Sequence, residues 1–92
     1  MLAIELANQK LNETFQNAVI KTTDLTGNPD HLHMGVFVAS DEFDGKMLID
    51  QHQMVMNALN DLLKSKIHAV KIKTQTLEQY RQNTGVNNDQ SI

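Results

Sequence analysis

The stretch from Ser40 to Leu63, SDEFDGKMLIDQHQMVMNALNDLL, constrains this chain more than any other, because an extended run ends in it and a long helical one begins. Ahead of it, Leu32 to Ser40 alternates, with Met34, Val36 and Val38 on one side and Gly35, Phe37 and Ala39 on the other, the period of a strand. Behind it, Leu48, His52, Val55, Leu59 and Leu62 recur at helical spacing, flanked by Met54, Ala58 and Leu63. Asp44-Gly45-Lys46 is a turn signal between the two periods and predicts a helix that starts abruptly after Phe43. The rest of the chain is expected to pack against this joint.

The other segments continue the alternation of helix and strand. Ile4, Ala7, Leu11 and Phe15 share a face between Leu2 and about Gln16, which predicts a first amphipathic helix. Ala18 to Leu25 is rich in β-branched residues, and Gly27-Asn28-Pro29-Asp30 supplies turn chemistry before Leu32, so these two strands are expected to pair antiparallel. The long helix ends around Lys64 to Lys66, and a break near Gln53 is left open. Ile67 to Thr74 places Val70 and Ile72 on one face and Lys71 and Lys73 on the other, a third strand with a wet side. A strand–helix–strand crossover predicts parallel pairing. Thr76-Leu77-Glu78-Gln79 fits a capping box, so a short last helix with Tyr80 facing inward is expected. The order α-β-β-α(α)-β-α predicts an α+β single domain over residues 1–82, a three-stranded mixed sheet with helices packed on one face, and a flexible tail over 83–92.

Composition excludes several functions. The chain has no Cys, so disulfides and a thiolate nucleophile are unavailable, and a metal or cluster must use His, carboxylates or a partner's thiolates. Its apolar runs fall far short of the roughly 20 residues that cross a bilayer, and MLAIELANQ lacks the basic start of a signal peptide. A cytoplasmic protein without membrane contact is the expectation. A net charge of −3 argues against general attraction to nucleic acid, yet Lys64, Lys66, Lys71 and Lys73 fall together in the acid-free segment KSKIHAVKIK.

Four histidines carry most of the chemical options. His68 opens the third strand, where a neutral imidazole can ligate a metal or cluster iron, although a strand-edge His bonded to backbone is the commoner case. His31 and His33, in PDHLHM, alternate onto one face and can chelate together, but two histidines are too few for a closed zinc site. His52 lies on the apolar stripe and reads as a packed structural residue, like Phe43 and Gly45 at the turn. The lysines, with Lys46 beyond the turn, read first as a solvated face, second as a dock for an acidic partner or a few phosphates of DNA. No aromatic residue interleaves with them in sequence, which leaves single-strand stacking poorly supported. Asp41, Glu42 and Asp44 cluster where acids cap a helix start. With no Ser-His-Asp set, phosphate loop or dinucleotide fingerprint, an enzyme is not expected.

Two separated motifs resemble the BolA family. Ala39-Ser40-Asp41-Glu42-Phe43-Asp44-Gly45-Lys46, followed by Gln51-His52-Gln53-Met54-Val55, is similar to the family's central Val-Ser-Asp, Phe-Glu-Gly-Lys and Arg-His-Arg pattern. Ile67-His68-Ala69-Val70-Lys71-Ile72-Lys73-Thr74 is similar to its last strand. Gln51 and Gln53 stand where the family has two arginines, which weakens a phosphate-binding role for the helix. Leu77 and Tyr80 replace a common Pro and Trp. The resemblance implies a class II KH-like fold without the Gly-x-x-Gly loop that clamps RNA. It also implies an adaptor that binds a monothiol glutaredoxin and shares a two-iron two-sulfur cluster with it and with glutathione, none being expected in the isolated protein. His68 would be one ligand and either His33 or His31 the other. An alternative from the same resemblance is a DNA-binding transcriptional regulator of stress response and cell morphology, using Lys46, Lys64, Lys66, Lys71 and Lys73. A weak homodimer is left open.

Overall fold

Three strands interleave with helices in the computed structural model, which describes residues 3–25, 32–65 and 67–82. Helix α1 (Ala3–Thr14) turns Ala7 and Leu11 inward, and Phe15, one further four-residue step, is buried with them. Its last turn closes with the Phe15 N–H donating to the Leu11 carbonyl at 2.9 Å. Asn17 then takes φ 53, a left-handed conformation that Asn tolerates better than most residues, and redirects the chain into β1 (Val19–Asp24).

Strand β2 (Leu32–Ala39) is central: it pairs antiparallel with β1, from Val19 opposite Ala39 to Asp24 opposite Met34, and parallel with β3 (Ile67–Gln75). The predicted hairpin and parallel crossover are both present. Met34, Val36 and Val38 carry the apolar face of β2 into a core with Ala7, Leu11, Phe15, Val55, Leu59 and Ile67. All of this burial lies on one side of the sheet, where period 2 in β2 meets period 3.6 in the helices.

The crossover between β2 and β3 begins with a 3₁₀ turn at Asp41–Phe43, whose Ser40 hydroxyl accepts from the Glu42 N–H at 3.1 Å. Phe43 is fully buried and packs against Phe15, ring centroids 5.4 Å apart. Gly45 follows at φ +75, where an L side chain is strained even though nothing lies within 4 Å of where a Cβ would sit. Helix α2 (Leu48–Ala58) passes through Gln53 without interruption, and the break comes at Leu59, before α3 (Asn60–Ser65).

Leu48 departs from its expected place. It is 59% exposed, beside Met47 at 69% and Ile49 at 71%, because the inward stripe of α2 begins at Gln51 and continues through Val55 and Leu59. Gln51 is only 9% exposed. Its Nε2 donates to the Lys46 carbonyl at 2.9 Å and the Phe43 carbonyl at 3.5 Å, while its Oε1 accepts from the Thr74 hydroxyl at 2.6 Å. The amide thus ties the Lys46 carbonyl of the turn to the Thr74 hydroxyl of β3, bonds no leucine at this position would make.

The predicted capping box is present: the Thr76 N–H donates to Gln79 Oε1 at 2.9 Å and the Gln79 N–H to Thr76 Oγ1 at 3.0 Å. Helical residues 77–82 follow. Helices α1, α2 and α3 share the expected face, but Tyr80 meets Phe37 on the other one, centroids 5.7 Å apart.

Candidate functional site

Two regions collect the side chains singled out above. The first is the end of the sheet where β2 and β3 begin. His33 is half-buried there, and its carbonyl accepts the Leu25 N–H at 2.8 Å, which closes the β1–β2 hairpin. Across the parallel pairing, Leu32 stands opposite Ile67 and His33 opposite Ala69, with a register irregularity between them. Strand β3 therefore has one residue more than β2 over this step, and that residue is His68. A bulge of this kind interrupts the ladder and re-aims the chain locally. It brings the backbones of His33 and His68 to neighbouring strands, spaced about 4.8 Å apart, at the same end of the sheet. His31 and Lys66 lie outside the described residues.

The donor chemistry at this end is imidazole. Among the described residues no group of three or more His, Cys, Asp or Glu is assembled to hold a metal ion. Two imidazoles make half of a four-ligand set, and a chain without Cys has no thiolate with which to complete it. His52 is half-buried on α2, next to buried Gln51.

The second region is the face of the sheet opposite α1, α2 and α3. Register aligns Lys21, Phe37 and Lys73 in one row across the three strands, and Thr23, Gly35 and Lys71 in the next. Lys21 Nζ lies 5.8 Å from the Phe37 ring centroid and 5.6 Å from that of Tyr80, within the range of cation–π attraction. Gly35 and Leu25 complete the floor of an open groove of about 530 Å³, with Lys21 on one side and Lys71 and Lys73 on the other.

This overturns one reading of the sequence. Phe37 and Tyr80 are remote from KSKIHAVKIK along the chain, so lysines and aromatics do not interleave in sequence, yet the sheet sets Phe37 directly beside Lys73. Lys21, missed in the sequence, belongs with Lys71 and Lys73, while exposed Lys64 is on α3 and exposed Lys46 follows the turn. The four described lysines of the expected basic surface, Lys46, Lys64, Lys71 and Lys73, are divided by the fold. The signal that could have found Lys21 is period 2 in β1, since Lys21 and Thr23 alternate with Ile20 and Thr22.

A family model described as BolA-like protein matches residues 6–79. The chain belongs to the BolA-like family. Among its relatives, an uncharacterized protein of Rickettsia prowazekii (strain Madrid E) is 40% identical over 73 residues, which span 79% of this chain and 92% of that protein. A protein of Vibrio cholerae serotype O1, named DNA-binding transcriptional regulator BolA, is 31% identical over 83 residues, 85% of this chain and 78% of that one. Among solved structures, a Bol-like protein from Babesia bovis superposes with a TM-score of 0.80 at 23% identity, over 91% of this chain and 95% of its own. That likeness establishes the BolA-like fold: a three-stranded mixed sheet with helices, in one domain. Among the described residues, no helix of this BolA-like chain is long and apolar enough to cross a membrane.

Proposed function

We propose that this BolA-like protein is a non-catalytic adaptor of the cytoplasm that docks on a monothiol glutaredoxin and supplies imidazole ligation to a two-iron two-sulfur cluster. The thiolates would come from the partner and glutathione. The observation that supports this reading is the register irregularity at the head of β3, which leaves the backbones of His33 and His68 on neighbouring strands in a chain that has no cysteine of its own. His68 would be one ligand and His33 or His31 the other. The cluster, when bound, supplies electron transfer or iron for delivery. The chain's own part would be to present two imidazoles at one end of its sheet.

Mixing the full chain with cluster-loaded glutaredoxin should alter the visible absorption and circular dichroism of the cluster. His68→Ala should abolish that change, and comparison of His31→Ala with His33→Ala identifies the second ligand. A spectral change untouched by His68→Ala would remove the ligand assignment.

A second reading, DNA binding in transcriptional regulation, is supported by the name of the Vibrio cholerae relative. Here Lys46 and the helix after it would meet duplex DNA. The exposed acids Asp41, Glu42 and Asp44 in the same turn oppose it electrostatically. Titrating duplex DNA at several salt concentrations separates the cases, since six or more phosphate contacts give a log–log slope of about −5 or steeper.

A further inference from the structure

The open face of the sheet is chemically unlike the rest of this acidic chain. Its side-chain positions in the two central rows are Lys21, Phe37 and Lys73, then Thr23, Gly35 and Lys71. Among the described residues no Asp or Glu occupies a position on this face of the three strands; Asp24 alternates to the other side, opposite Met34. Three lysines, with no acid at the described strand positions of this face, therefore concentrate positive potential on one surface of a protein whose net charge is −3.

Shape and ring chemistry narrow the occupant. The floor is apolar, because Gly35 contributes no side chain and the Leu25 side chain lies over it, its nearest carbon 3.5 Å from where a Cβ would sit. At one end Phe37 and Tyr80 present half-exposed rings tilted 46° to each other. Along the opposite rim Lys71 and Lys73 stand two residues apart on β3, about 6.7 Å along the strand. A surface that pairs stacking rings with a row of cations fits a polyanion that carries flat aromatic groups, and an acidic peptide would leave the rings unused. Duplex DNA, its bases stacked inside, would leave them unused too.

We infer that the open sheet face, with Phe37 and Tyr80 as its stacking end and Lys21, Lys71 and Lys73 as its phosphate contacts, is a binding surface for single-stranded nucleic acid. The site adjoins His33, which occupies the next row of the same face beyond Gly35, and lies apart from the turn after Phe43; its test substitutes lysines and a ring and no histidine, so its failure is distinguishable from that of either reading above. Its breadth of three strands accommodates two or three nucleotides, and nothing in it reads base edges, so binding is weak and tolerant of sequence.

Fluorescence polarisation of a labelled 15-nucleotide single strand with the full chain is the test. Three phosphate contacts predict a log–log salt slope of about −2, or an affinity loss of about 20-fold between 50 and 200 mM salt. Lys71→Gln with Lys73→Gln should reduce the slope to about −0.7, while Lys64→Gln on α3 leaves it unchanged. Phe37→Leu, which keeps an apolar side chain at the position, should weaken binding about 5-fold or more through lost stacking. As a measurement that needs no variant, amide shifts on adding the oligonucleotide should move Thr23, Gly35 and Lys71 and spare α2. Duplex bound as tightly as single strand, complete displacement by poly-glutamate at equal charge, shifts confined to α2, or no binding at 50 mM salt would each overturn the assignment.

Discussion

The two faces of the sheet are built from the same three strands and obey different rules. On the helix-covered face, Met34, Val36 and Val38 of β2 are apolar and buried beneath the helices. On the other, the alternate residues are lysine, threonine, glycine and phenylalanine, covered at one end by Tyr80. The first face holds the fold together by area removed from water. The second is only lightly constrained by packing, which leaves its side chains available for recognition.

The sharpest way to break this contrast is to remove a ring from each side. Phe43→Ala empties a fully buried position against Phe15 and should cost about 3 to 5 kcal/mol in urea unfolding. Phe37→Ala should cost no more than about 1.5 kcal/mol, the scale of a partly exposed aromatic pair. Equal losses would mean that the open face is as much a core as the covered one.

Next comes the buried amide. Gln51→Ala leaves the buried Thr74 hydroxyl without its acceptor and removes the bond to the Lys46 carbonyl, and a loss of about 1 to 3 kcal/mol is expected. Combining it with Thr74→Val should cost less than the sum of the two single changes, because the second removes a group the first left unpaired. Strict additivity in denaturant unfolding would show that the two side chains do not act as a unit.

Gly45→Ala isolates backbone conformation, since the position is spacious but held at φ +75. A loss of about 1 kcal/mol in thermal or urea unfolding is expected, and no loss would mean the turn relaxes freely. Smallest of all, Lys71→Gln and Lys73→Gln should each leave stability within about 0.5 kcal/mol. A larger drop would make these lysines part of the scaffold and not of a binding surface.

Much of the fold was legible along the chain. Ala7, Leu11 and Phe15 announced α1 at four-residue steps, Met34, Val36 and Val38 announced β2, and Thr76 with Gln79 announced the last cap. Leu48 was misplaced because helical period identifies a face but not where along the helix that face meets the sheet. Gln51 was passed over because a polar residue on an apolar stripe gives no local sign of the carbonyls it will serve, which belong to a turn and a hydroxyl 23 residues away. Of the candidate histidines, the motif pattern singled out His68 and left His31 and His33 as alternatives, and the backbone adjacency of His68 and His33 rests on a bulge that neither strand's own alternation reveals.

By itself, then, the sequence determined which segments are helix or strand, which face of each is apolar, and that no cysteine is present for metal or redox work. These are local properties, set by side-chain periodicity and backbone propensity. The tertiary structure alone decided that Lys21, Phe37 and Lys73 form one row and that Tyr80 closes its end. Cross-strand neighbours are chosen by register, and register depends on how the whole core closes, information that no single stretch of chain contains.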